Sequence, residues 1–349
     1  MRTFPALLGA ALVLVAIPAA AQIPVNLPQP SPKASAAQTV GVTEMTVTYS
    51  RPAVRGRKVW GGIVPHGQVW RTGANENTVV TFSTPVRVEG QAVPAGRYAL
   101  FTIPGEPSWT VILSRQSHAW GSDSYDPSED ALRAAVTPRT GNAAERLLFT
   151  FDDVADASVS LVLRWEKLVL PIKIEVDRVA TVTADLAEQL RGLPRYGWQG
   201  WDGAARWVLN NGGDLEQAAA WADRSIELAQ NGSTLMTKAS ILERKGDARR
   251  AGELRAKADE ISTERERNIL GYQYLQAGQH DLAIAAFLKN SNAFPASWNV
   301  WDSLAEGYAT KGDGKSAALN YTKALGLLKD GPNDQVQRKR IEAELAKLK

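Results

Sequence analysis

The chain has 349 residues, too long for one average domain and comfortable for two. Its 44% hydrophobic and 22% charged content is that of an ordinary globular protein. Its 40 basic and 37 acidic residues give a net charge of +3, with no basic stripe of the kind that marks nucleic-acid binding. With no cysteine, disulfides, thiolate metal sites and a lipidated cysteine are all excluded.

The N-terminus reads as a targeting signal. Arg2 supplies the positive start, residues 6–17 an apolar core, and Ala19-Ala20-Ala21 a small-residue cleavage site. The expectation is a signal peptide over 1–21, a mature chain beginning at Gln22, and a periplasmic or secreted protein. No later stretch approaches the roughly 18 apolar residues of a spanning helix, so no membrane span is expected after signal removal. Residues 22–39 read as a Pro-rich arm.

Residues 40–180 follow a period of two. Val159, Leu161, Leu163 and Trp165 alternate with Ser160, Val162 and Arg164, and Ile172, Ile174 and Val176 alternate with Lys173 and Glu175. Trp109, Val111 and Leu113 form another such set, as do Leu147, Phe149 and Phe151. Turn signals at Glu89-Gly90, Ala95-Gly96 and Pro104-Gly105 separate the runs, which predicts eight or nine antiparallel strands in a β-sandwich. Residues 128–135 are the exception, with a helical turn predicted behind an Asp126 or Ser128 cap.

Residues 181–197 read as a linker helix region, and beyond it the period is helical with an internal repeat. Gly213, Gly246, Gly278 and Gly312 each precede an Ala by five residues, at Ala218, Ala251, Ala283 and Ala317. Each Gly suits a helix end and each Ala a close helix–helix approach. The spacing and residue pattern resemble tetratricopeptide repeats. The third unit carries Leu270-Gly271, Tyr274, Gly278, Ala283, Phe287 and Pro295; the fourth carries Trp301, Leu304-Ala305, Tyr308, Gly312, Ala317, Tyr321 and Ala324. The first two units depart from the pattern, with Lys238 and Arg255 at positions usually apolar or aromatic. The expected fold class is therefore α+β in two domains: an antiparallel sandwich, then a tetratricopeptide-like array over 198–349 closed by a polar capping helix.

Three stretches of the β half carry a second resemblance. They are Ser50-Arg51-Pro52 with Gly56-Arg57-Lys58-Val59-Trp60-Gly61; Val64-Pro65-His66-Gly67 leading into Trp70-Arg71-Thr72-Gly73-Ala74-Asn75-Glu76; and Pro94-Ala95-Gly96-Arg97-Tyr98 with Trp109 and Trp120-Gly121 downstream. Residues 27–176 thereby resemble the bacterial domain-of-unknown-function family numbered 2911, which implies a fold and an exported location but no reaction. His66 stands where the family pattern has Tyr, so no mechanism is rested on its imidazole.

The polar loop 70–76 is the concentrated candidate site. Arg71 offers a planar fork of donors, Asn75 a donor and acceptor, and Glu76 an acceptor or base beside Trp70. The same groups would equally serve to pin a wide loop through side-chain-to-backbone bonds. A second cluster holds His118, Trp120, Asp123, Tyr125, Asp126 and Asp130. Its spacing fits no calcium loop, and Asp126-Pro127-Ser128 also reads as a helix start. Trp120 reads either as a stacking platform or as a plug for the sandwich end. Zinc, nucleophile-elbow and phosphate-loop motifs are missing from the sequence, and no metal or cofactor is expected. On the helical half, resemblance to the repeat family places Asn268, Tyr272, Gln276, Asp302 and Glu306 along a concave face suited to a protein or peptide. The leading expectation is an exported, non-enzymatic binding or scaffold protein with a small polar or glycan-like ligand at the β domain. The alternative is a cell-envelope hydrolase or lyase using Glu76 with Asp123 or Asp126.

Overall fold

The computed structural model describes residues 27–329 and 331–348, so the expected signal segment lies outside the described residues. The strands are β1 Lys33–Val40, β2 Thr43–Ser50, β3 Val79–Phe82, β4 Val86–Val88, β5 Gln91–Val93, β6 Gly96–Ile103, β7 Trp109–Ser114, β8 Asp130–Val136, β9 Arg139–Asp152 and β10 Ser158–Glu175. They form a six-stranded sheet in the order β1-β2-β3-β6-β7-β8 and a four-stranded sheet in the order β5-β4-β10-β9. Every named pairing is antiparallel. One buried cluster fills the space between the sheets, with Met45, Val47 and Val111 from one and Leu147, Phe149 and Ile172 from the other. The sandwich follows from period two: each strand turns alternate apolar residues inward.

Two sequence expectations change here. The Pro-rich arm is shorter than 22–39, because pairing with β2 begins at Lys33↔Ser50 and runs to Val40↔Thr43. Ala34 and Ala36 alternate with Ser35 and Ala37 and pack on the core, which gives this stretch a strand's buried face. The helical turn expected over 128–135 is confined to a 3-10 turn at Pro127–Glu129, after which β8 pairs with β7. Leu132, Ala134 and Val136 are all buried, so their alternation prevails over the cap signal that precedes them.

Strand β10 holds both alternating sets in one run of 18 residues. Leu161, Leu163 and Trp165 face the core at odd positions; Leu170, Ile172 and Ile174 do so at even ones. The register shifts against β9 between Arg164 and Leu168, around Glu166 at φ 54°. A bulge of that kind is what lets a strand change phase while keeping one face buried. The outer edge of β9 is itself covered by the chain after β2. Val54 N–H donates to Glu145 O (2.8 Å), Leu147 N–H to Pro52 O (3.0 Å), and Arg51 Nε to Leu147 O (2.9 Å).

The helices are α1 Arg178–Gln189, α2 Trp198–Asn210, α3 Leu215–Leu228, α4 Gly232–Arg244, α5 Ala248–Ile261, α6 Glu264–Gln276, α7 His280–Ala293, α8 Trp298–Lys311, α9 Gly314–Leu327 and α10 Pro332–Lys347. From α2 to α9 they make four consecutive hairpins. Ala218, Ala251, Ala283 and Ala317 are each at most 1% exposed, which lets the paired helices approach closely. Gly246, Gly278 and Gly312 take positive φ at the turns; in the first unit that role falls to Gly212 (φ 73°) and not to Gly213. Lys238 and Arg255, the two departures from the repeat pattern, form ion pairs with Asp223 and Glu243 where other units use apolar contact. Trp201 and Trp207 join the buried cluster of α2, α3 and α4, because those faces present Ala205, Val208, Ala218 and Ile241 to them.

Candidate functional site

The loop 70–76 divides between scaffold and surface. Trp70 bridges to Thr102 and turns inward, stacked on Trp165 at 5.9 Å with rings 21° from parallel. Trp60 meets Trp70, Trp109 and Trp165 edge-on at 4.9–5.9 Å, so four indoles close this end of the sandwich. Trp120 takes no part in that plug and is 65% exposed. Asn75 sits at φ 58°, and its Nδ2 donates to Ser31 O (3.2 Å) and Ser50 Oγ (3.4 Å). Trp70 and Asn75, two of the ligand-binding candidates, both make contacts within the fold. One fills the core end, and the other ties the arm to the sheet with an amide that tolerates the left-handed conformation.

The remaining candidates do come together. Glu76 and Trp120 form an antiparallel bridge, and Asn77 N–H reaches Ala119 O at 3.4 Å, so the two polar clusters lie side by side. Arg71 Nη1 and Asp123 Oδ2 flank Gly121, each within 4 Å of where a Cβ would stand. Asp126 is spent as a cap. It accepts from Ser128 N–H at 2.9 Å, and that bond holds its carboxyl below the ordinary range, so it stays ionised and has no proton to give near neutrality. Asp130 is likewise engaged by Tyr125 Oη (2.8 Å) and Arg133 (3.0 Å); burial first, then that carboxylate, pushes the Tyr125 phenol up to about 12.

Beside this junction lies a cavity of about 160 Å³ whose lining includes Lys33, Glu76, Asn77, Arg97, Ser117 and His118. Of these, Glu76 is a sequence candidate for the site and His118 a member of the second polar cluster. Lys33 and Arg97 occupy outward positions of β1 and β6, which period two indicates, but the pairing order that brings them together lies in the tertiary fold.

On the helical half, α6 and α8 bring the expected polar row together. Tyr272 Oη donates to Glu306 Oε2 at 2.7 Å, and burial followed by these neighbours raises its phenol well above the ordinary value. Asn268 Oδ1 is buried without a hydrogen-bond partner among the described residues, while Gln276 is exposed at the far end of α6. Asp302 is turned inward, 5% exposed, and paired with Arg340 of α10 at 2.5 Å. The capping helix thus reaches back and occupies one expected groove position.

Burial raises the Asp302 carboxyl above its ordinary range, and the Arg340 guanidinium opposes this without winning. A carboxyl raised on folding contributes stability that is complete below its unfolded pKa, about 4, and is lost as pH rises through the folded value. Asp302→Asn is therefore expected to melt above the wild type at neutral pH, with the advantage shrinking as the pH falls toward about 4. Paired melting curves across that window check it; a constant difference refutes it.

The fold and its surfaces define a β-sandwich module joined to an array of helical hairpins, with a polar cavity on the first and a row of polar residues on α6 and α8 of the second. Residues 31–174 match the family model DUF2911, described as a protein of unknown function, and the chain carries a DUF2911 domain followed by a tetratricopeptide-like array. Superkiller complex protein 3 of Homo sapiens is 40% identical over 57 residues, which is 16% of this chain and 4% of that protein. Among solved structures, the APC/C hetero-tetramer Cut9-Hcn1 is similar at TM-score 0.26 and 18% identity, over 49% of this chain and 32% of that one. MamA is similar at TM-score 0.25 and 16% identity, over 47% of this chain and 92% of its own. YrrB, a TPR protein with an unusual peptide-binding site, is similar at TM-score 0.25 and 16% identity, covering 47% and 84%. Likeness at this level carries no functional argument, and the repeat assignment stands on the glycine turns, the buried alanines and the hairpin order.

Proposed function

We propose that this protein is an exported, non-enzymatic binding scaffold whose helical array holds a protein or peptide segment and whose β domain holds a small polar ligand. The observation that carries the reading is the polar row on α6 and α8. Tyr272 and Glu306 are bonded to each other, and Asn268 presents a buried acceptor with no partner among the described residues. Buried polar groups are normally satisfied, so an open acceptor one helical turn before Tyr272, together with the Glu306 carboxylate, suits a donor-bearing segment such as one containing Lys or Arg. The targeting pattern over 1–21 supports export, and N-terminal sequencing that does not begin at Gln22 would count against that step.

The test is selection of a displayed random-peptide library on the mature chain. Enrichment of basic peptides is expected, with affinity falling about tenfold or more in Glu306→Gln, which removes a charge-assisted bond. A library that fails to enrich, or peptides that bind Glu306→Gln equally well, would remove the groove from the binding role.

A further inference from the structure

The cavity beside Glu76 is built on the outer face of the six-stranded sheet. Val79 pairs with Thr48 and with Ala99, and Ala99 belongs to an outer cluster with Phe101 and Ile112. Residues opposite one another in a ladder share a face, as do residues two apart. Thr48, Ser50, Lys33, Val79 and Arg97 therefore all point outward. Lys33 enters from the β1 side and Arg97 from the β6 side; the segment leading into β3 supplies Glu76 and Asn77 between them. The segment holding Ser117 and His118 forms the remaining wall.

Asn77 is the informative residue. It is 5% exposed, it lines the cavity, and neither its Oδ1 nor its Nδ2 has a hydrogen-bond partner among the described residues. A buried amide with both ends open is unfavourable for folding and is rarely retained without use. It offers two N–H donors and a carbonyl acceptor on one plane. Around it stand two cations and one carboxylate, and the volume of about 160 Å³ is below the range of drug-sized pockets, roughly 300 Å³ and above.

We propose that the cavity around Asn77 binds a small zwitterion of the α-amino-acid class. The ligand carboxylate faces Arg97 and Lys33, its ammonium faces Glu76, and the Asn77 amide donates to the first and accepts from the second. Because cations outnumber carboxylates in the lining, an acidic side chain on the ligand is favoured over a basic one. The inference rests on the reading of the β domain as a ligand-binding module and names the class of ligand.

The experiment is calorimetric titration and thermal shift of the mature chain with the standard amino acids, with acetate and with inorganic phosphate. The wild type is compared with Asn77→Leu and Arg97→Gln. Glutamate or aspartate is expected to raise the melting temperature. The shift should vanish in Asn77→Leu and affinity should weaken about tenfold in Arg97→Gln, an exposed change that leaves the fold intact. Without ligand, Asn77→Leu should melt at or above the wild type, since an apolar isostere relieves the open amide. Binding of an amino acid that survives both substitutions overturns the proposal. Binding of phosphate or acetate but of no amino acid overturns the ligand class while leaving the β domain a binding module. No binding of any probe removes both.

Discussion

Trp165→Ala is expected to destabilise the β domain by about 3–5 kcal/mol, the range for truncating a large buried aromatic. Trp165 is 1% exposed and touches both Trp60 (5.7 Å) and Trp70 (5.9 Å), so its loss opens a cavity at the sandwich end and removes the surface on which Trp70 stacks. The damage should travel. Trp70 leads directly into Arg71 and the Glu76 bridge, so the polar junction loses its anchor together with the core. Trp165→Phe should recover much of the loss, because the Trp165 Nε1 has no hydrogen-bond partner among the described residues to forfeit. Urea denaturation followed by tryptophan fluorescence reads the effect. A change below about 1 kcal/mol would show that the indole cluster is not the keystone assigned to it.

Phe287→Ala should cost the helical half a similar amount, about 3–5 kcal/mol. The ring is fully buried in a slot shaped by absent side chains: a Cβ at Gly271 would overlap it, and one at Gly307 would stand 3.1 Å from its Cδ2. Tyr272 packs edge-on to the same ring at 5.1 Å, so Phe287 also sets the position of the groove hydroxyl. In a repeat array each unit leans on its neighbours, so the loss should uncouple the third unit from the fourth. Hydrogen exchange should then quicken in α6–α9 while β2, β6 and β10 keep their protection. Uniform loss of protection across both halves would contradict that division.

The sequence made the broad architecture legible because two periods differ so plainly: alternation through Trp165 and Ile172, then turn glycines each followed by a buried Ala. The Glu166 bulge was also written there, as a change from odd to even core positions inside β10, although the two runs look like separate strands until their pairing is known. The site was harder to read. Asn75 and Asn77 are the same residue type two positions apart; one bonds the backbone of its own arm and the other faces a cavity unpartnered. Nothing local separates them, because the difference lies in what Ser31 and Ala119 bring from distant parts of the chain. Asp302 illustrates the same limit: the repeat pattern places it in the groove, and only the path of α10 shows Arg340 meeting it.

Strand β9 is the border of its sheet, 14 residues long, and strands of that length with free N–H and C=O groups are templates for fibre growth. In this chain the stretch of that border at Glu145–Leu147 is covered from within by residues 51–54, through the backbone of Pro52 and Val54 and the side chain of Arg51, which take the place another molecule would otherwise fill there. Pro52 lends its carbonyl to that seal and has no N–H to offer outward. A protein without a single disulfide thus carries its own guard against self-association in four residues of loop. Changes in that loop should be read first as changes in solubility, ahead of any effect on binding.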